Sequence, residues 1–380
     1  MLTSERPDLA NLVKHIEVDH TTAFALPINL VGDLSGIAAN RNLNLLPGWS
    51  DDSHRGALAF MELLLLQTPN VETLHLLVDE TRTTFSDLAV SEGFSLPALT
   101  TLTAAAHPRV PSDWEEPFHF RSGFLLRFLC GSPQITHLGL HRAQNLLPFH
   151  VAIGEHEALL AVAPFASITS LTLSHSRHMS FDRVIEACDR LEIFKMTFGN
   201  KFHPLYRCFH DVLRGLQKHK LSLHTFVFAG GIYLNVPEVD ERPTFREFTS
   251  LHSILIVPYI SYLTGAFESI VDFLPSSVRR LRLLDVEGAD AREGLWGLHA
   301  ALRRGEFQHL EELVVNPGTP RDDPIGRDQE YGWDDPGVAM AALGMAFWEL
   351  EGLLFLLRDV DGTVDGLVDA EAVSGRCLGT

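Results

Sequence analysis

Cysteine is scarce in this sequence. Its 380 residues include four, Cys130, Cys188, Cys208 and Cys377, and no two stand at CxxC spacing. That argues against a disulfide framework and against a thiolate zinc site, and it leads us to expect reduced thiols in an intracellular protein, cytoplasmic or nuclear. Positive charge is also short. Thirty Lys and Arg stand against 49 Asp and Glu, a formal net charge of −19. Such a surface repels phosphate backbones and anionic lipid, so neither nucleic acid nor a membrane surface is an expected partner. Long uninterrupted apolar runs are missing as well. The most apolar stretch, Val338–Leu357, carries Glu349 and Glu351, which are costly in lipid, and is expected to be a buried terminal element. The first eighteen residues, MLTSERPDLANLVKHIEV, hold no apolar segment of the secretory type.

What the sequence does have is a recurring pattern: apolar, two residues, apolar, one residue, apolar. It appears as Val71-Leu74-Leu76, Leu99-Leu102-Ala104, Ile135-Leu138-Leu140, Ile168-Leu171-Leu173 and Leu191-Phe194-Met196. Further on it returns as Leu223-Phe226-Phe228, Leu251-Ile254-Ile256, Val278-Leu281-Leu283 and Leu310-Leu313-Val315. The mean step is about 30 residues, near the upper end of the leucine-rich-repeat period. Side chains alternate across a strand, so Leu74 and Leu76 should point into a core while Thr73 and His75 point out. Three buried side chains per copy, at roughly 1.5–3 kcal/mol each, give neighbouring copies a reason to stack. Apolar segments between copies read as helices: Ser53–Gln67, Phe118–Cys130, Glu155–Ala163, Phe181–Cys188, Pro204–Gln217, Tyr262–Leu274 and Ala291–Arg304. Several end in turn signals such as Thr68-Pro69-Asn70 just before the next strand.

The fold class expected is therefore α/β, a leucine-rich-repeat-like solenoid with parallel strands inside and helices outside. We expect one solenoid over residues 1–357, with an N-terminal cap at 1–52 and a C-terminal cap at 337–357. Residues 316–336, rich in Pro, Gly and Asp and carrying Tyr331 and Trp333, form an acidic loop, either a solvated insertion or a contact loop. Residues 358–380 are expected to be a disordered tail. One device of regular repeats is absent: the positions three residues after each last strand residue, from Asp79 and His107 to Gly318, hold no Asn or Cys. An irregular arc follows.

Two segments carry a family likeness. Arg6-Pro7-Asp8-Leu9-Ala10 with Leu12-Val13-Lys14, and the run Leu63–Leu76 containing Gln67-Thr68-Pro69-Asn70, resemble the region after the F-box in fungal F-box/leucine-rich-repeat-like proteins. The resemblance spans roughly residues 1–320. It implies a substrate-recognition protein of an F-box-type (SCF) ubiquitin ligase. The F-box itself is not present in this chain, so adaptor and cullin binding is expected only if such a box lies upstream. A ligase-independent scaffold is the alternative.

Chemical motifs are few. Asp359-Val360-Asp361-Gly362-Thr363 looks like the nucleophile loop of haloacid-dehalogenase-type phosphatases, in which one Asp attacks phosphorus. That fold needs a long further segment carrying a Lys and more acids for Mg²⁺, and only residues 365–380 follow the motif, so a phosphatase using Asp359 and Asp361 is the lesser alternative. Asp361, Thr363 and Asp365 also imitate the start of a calcium loop, but Ala372 stands where its bidentate Glu belongs. His175 with His178, and His203 with His210 beside Cys208, have no evident third ligand. The last four residues, from Cys377, make a poor prenylation box. No catalytic residue, metal or cofactor is expected.

Function is thus expected on the outward strand face, as non-catalytic protein–protein recognition. The candidate partner-binding residues are His75, Thr103, His137, Thr172, Lys195, Val227, Leu255, Arg280 and Arg282. They run from small and polar, through apolar at Val227 and Leu255, to basic at Arg280 and Arg282. An apolar patch beside two arginines suits an acidic or phosphorylated peptide with a hydrophobic anchor.

Overall fold

In seven of the nine copies the chain enters its strand through a tight turn. The N–H of the first apolar residue donates to the carbonyl three residues back: Val71 to Thr68, Leu99 to Leu96, Ile135 to Ser132, Ile168 to Phe165, Leu251 to Phe248, Val278 to Pro275 and Leu310 to Phe307. Proline presets the second turn residue, and Pro69, Pro97 and Pro133 occupy that place. The computed structural model describes residues 10–19, 64–78 except 66, 95–106, 129–141 except 130, 165–174, 181–197, 205–229, 244–257, 270–283, 297–315 except 299, and 354–357.

The chain divides into two compact units, Met1–Arg190 and Leu191–Thr380. The first holds β1 (His15–Asp19), β2 (Thr73–Val78), β3 (Thr101–Ala106), β4 (His137–His141) and β5 (Ser170–Ser174), followed by a short helix, α1 (Phe181–Glu186). These strands pair in chain order, all parallel, with Leu74 level with Leu102, Leu102 with Leu138 and Leu138 with Leu171. In the second unit are β6 (Ile193–Thr197), β7 (Thr225–Ala229), β8 (Ser253–Val257), β9 (Arg280–Leu283) and β10 (Glu312–Val315), again parallel and in order. Its helices are α2 (Leu205–Leu216) and α3 (Ile270–Phe273), and β11 (Leu354–Leu357) pairs antiparallel with β10. Each unit is an α/β stack of parallel strands, solenoid-like in its order. All nine strands expected from the repeat are present at the expected centres.

Two strands were not expected. β1 falls inside the stretch assigned to an N-terminal cap, yet it pairs parallel with β2 as a further repeat would. β11 lies in the stretch expected as a C-terminal cap, whose remaining residues are outside the described ones. The helices expected over 181–188 and 204–217 are found as α1 and α2. Only Ile270–Phe273 of the segment expected over 262–274 is described as helix, and residues 297, 298 and 300–303 are helical within 291–304. Those expected over 53–67, 118–130 and 155–163 lie almost wholly outside the described residues. So do the 316–336 loop, Asp359, Asp361, His175, His178, His203 and the cysteines other than Cys188 and Cys208. Cys188 is buried and unbonded to another cysteine.

The core follows the repeat. Leu74, Leu76, Leu171, Leu173, Phe194, Phe226, Leu281 and Leu283 are all 0% exposed. In α2, Phe209, Val212, Leu213 and Leu216 are buried, the one-faced spacing of a helix lying on a sheet. Phe209 meets Phe228 edge-on at 4.8 Å, and Phe245 contacts Phe226, Phe248 and Phe273 within 5.0 Å. The 3-10 turn after α2 carries the buried His219, whose Nδ1 accepts the N–H of Leu191 at 3.1 Å.

Main-chain and serine hydrogen bonds tie the repeats together. At eight of the bends the carbonyl before a strand accepts two N–H groups from the next repeat. In the first unit Lys14 O takes the N–H of Glu72 and Thr73, Glu72 O those of Thr100 and Thr101, Thr100 O those of Thr136 and His137, and Thr136 O those of Thr169 and Ser170. The second unit repeats this at Glu192, His224, His252 and Arg279. Beside these rungs, Ser167 donates to Ile135 O, Ser222 to Leu191 O and Ser277 to Leu251 O, at 2.8–2.9 Å. A serine rung on the entering turn thus does between repeats what the missing Asn would do on the leaving side.

Leu171 and Leu281 each fill a core position with no exposure, one in each unit. Leu171→Ala and Leu281→Ala should each destabilise the chain by about 2–5 kcal/mol, the range for buried leucine truncation. Chemical denaturation of the two variants checks this, and losses under about 1 kcal/mol in both contradict the strand phase described.

Candidate partner-binding face

Register arranges the outward residues in rows that run across the strands. In the first unit one row is Glu17–His75–Thr103–Gly139–Thr172 and the other is His15–Thr73–Thr101–His137–Ser170. Three of the candidate residues, His75, Thr103 and Thr172, therefore share a row, with His137 in the row beside it. In the second unit Lys195, Val227, Leu255 and Arg282 share a row that continues to Val314, while Arg280 stands in the row Ile193–Thr225–Ser253–Arg280–Glu312.

Exposure is uneven along these rows. His137 and Arg280 are exposed, and His75, Thr172, Lys195, Val227 and Arg282 are half-buried. Thr103 and Leu255 are each only 8% exposed, so neither offers much surface. The hydrophobic anchor expected at Leu255 is therefore reduced to its row neighbour Val227. Gly139 explains the burial of Thr103 in part: a Cβ there would come within 3.2 Å of Thr103 Oγ1, so the missing side chain lets the threonine lean across.

The basic end is also altered by its neighbours. Nε and a terminal nitrogen of Arg282 both reach Glu312 Oε1 at 2.7 Å. At the bend just outside the row, Arg279 lies 3.6 Å from Glu311. Arg280 and Lys195 form no ion pair among the described residues.

Histidines supply two further groupings that the repeat alone did not mark. His15 and His75 bring their rings to 5.0 Å on β1 and β2, with Glu17 level with His75. Burial, then the neighbouring His15, lowers the His75 pKa, and Glu17 opposes them. At the bends of β7 and β8, His224 and His252 stack at 5.8 Å, and Arg279 follows them at the bend of β9. Burial, then Arg279 and His224, lowers the His252 pKa; Glu311 opposes and His309 adds a little. Among the described residues no group of three His, Cys, Asp or Glu side chains is placed to hold a metal ion, and no helix is long and apolar enough to cross a membrane. No protein-family model and no curated protein sequence matches the chain.

For both lowered histidines the unfolded chain binds the proton more tightly than the folded one. Their contribution to stability is complete above the ordinary histidine pKa of 6.5 and is lost as pH falls below it through the lower folded pKa. The urea midpoint should therefore drop between pH 7.5 and 5.5 more steeply in the wild type than in His75→Gln/His252→Gln. Urea titrations at the two pH values measure it, and equal slopes would mean that neither ring is strained by protonation.

Proposed function

We propose that this chain is a leucine-rich-repeat-type recognition module with no catalytic site of its own, binding protein partners across the outward rows of its strands. One observation carries the reading. In both units the parallel register lines up side chains of mixed chemistry on a surface made of consecutive strands, with His137 and Arg280 exposed and their row neighbours half-buried. A row of this kind has a repeat spacing of about 4.8 Å, and each strand contributes independently variable residues, which suits recognition of another chain. By the resemblance of its N-terminal segments, the partner is a substrate of an F-box-type ubiquitin ligase, with adaptor contact dependent on an F-box outside these residues. A ligase-independent scaffold uses the same face.

Blocking that face tests the reading. Thr172→Trp in the first unit and Val227→Trp in the second place a bulky ring on the rows, while Lys218→Glu changes an exposed residue of the 3-10 turn. In affinity capture from cells, partners should be lost with one or both tryptophan variants and kept with Lys218→Glu, all three having unchanged circular dichroism. Retention of every partner by both tryptophan variants contradicts recognition through this face.

A further inference from the structure

We propose that the second unit binds an extended, carboxylate-bearing peptide segment laid diagonally across β6 to β9, with one acidic side chain on Lys195 and another on Arg280; this rests on the recognition reading above. The first ground is charge. The chain carries a net −19, and its well-placed cations are mostly engaged: Arg282 with Glu312, Arg279 with Glu311, Lys220 with Glu247 and Arg246 with Asp272. Lys195 and Arg280 lie on the outward rows and have no ion pair among the described residues. Glu312 stands level with Arg280, but its carboxylate takes two donors from Arg282, which offsets its charge locally.

Spacing is the second ground. From β6 to β9 there are three inter-strand steps, about 14 Å in all, and the two cations are offset by two residues along the strands, about 7 Å. The diagonal is about 16 Å. An extended chain advancing about 3.3 Å per residue spans about 13 Å in four residues, with residues i, i+2 and i+4 on one face, and the reach of the long lysine and arginine side chains covers the remainder. The residues beneath the diagonal fit a main chain. Thr225 and Ser253 offer hydroxyls, Val227 a half-buried apolar contact, and Leu255 lies nearly flush at 8% exposure. A short apolar side chain midway between the two acids would meet Val227. Two single cations this far apart suit separate carboxylates, whereas a phosphate group draws several arginines to one point.

Fluorescence anisotropy on the full chain tests the proposal, using labelled ten-residue peptides that carry two aspartates three, four or eight residues apart with a valine between them. Binding should be tightest at a spacing of four, weaken about tenfold in each of Lys195→Gln and Arg280→Gln, and fall steeply with added salt. Arg280→Glu should lose the aspartate peptide and gain one whose matching aspartate is replaced by lysine, a swap that a merely misfolded variant cannot produce. Equal binding at all spacings, indifference to both glutamine variants, or binding of a phosphoserine peptide alone overturns the proposal. Should these peptides fail while the tryptophan variants still abolish partner capture, the recognition face stands and its ligand is of another chemistry.

Discussion

Eight main-chain carbonyls, four in each unit, hold the repeats in register. Each sits at the bend before a strand and accepts two N–H groups from the next repeat. A buried or half-buried polar backbone must find partners, and the bend is where ladder pairing has not yet begun. One carbonyl with two lone pairs serves two donors there, so the strands that follow start level with one another. The main chain suffices for this device, and the hydroxyls of Thr100, Thr136 and Thr169 add a further donor to three of the carbonyls. The residues that supply it are accordingly diverse: Lys14, Glu72, Thr100 and Thr136 in the first unit, and Glu192, His224, His252 and Arg279 in the second. Their side chains remain available for other work, which is how the stacked histidines and the Lys14–Glu72 and Arg279–Glu311 pairs come to line the bends.

Much of this architecture was legible because two requirements coincide in each copy. The inward positions must be apolar, and they must alternate, so a short motif recurs wherever a strand begins. β1 shows the limit of spacing as a guide. Val13, Ile16 and Val18 satisfy the same motif, but Ile16 stands 58 residues before Leu74 (74 − 16), about two repeat lengths, so a search for steps near thirty passes over it. β11 was hidden for a different reason. Leu354–Leu357 is continuously apolar and pairs antiparallel, so it carries no alternation.

The outward face was harder to read. Alternation says which way a side chain points and nothing about what comes to lie over it. Thr103, Leu255 and Val314 point outward by phase and yet are 5–8% exposed. Likewise Arg280 and Arg282 look equivalent in sequence, two residues apart on one strand. Only register distinguishes them: Glu312 arrives from the next repeat, 30 residues on, and engages Arg282 rather than Arg280. The turn serines posed the opposite difficulty. Ser167, Ser222 and Ser277 precede the first apolar residue of their copies in plain view, but their value as rungs depends on the preceding repeat's carbonyl lying within 2.9 Å.

An acidic chain that recognises an acidic segment sets long-range and short-range electrostatics against each other. The net −19 repels any anion at distance, and that repulsion is screened over about 8 Å at physiological ionic strength. A nucleic-acid strand brings one charge every few ångströms and cannot present two of them to Lys195 and Arg280 without exposing the rest to the acidic surface. On the proposal above, a peptide with two carboxylates about four residues apart would bring only those two, each in direct contact with a cation where screening is weakest. On that proposal the general acidity would act as a filter on charge density, while Lys195 and Arg280, which have no ion pair among the described residues, would select spacing. The Arg282–Glu312 pair leaves the cations of this face distributed singly, so that it would not present the basic patch that defeats such a filter.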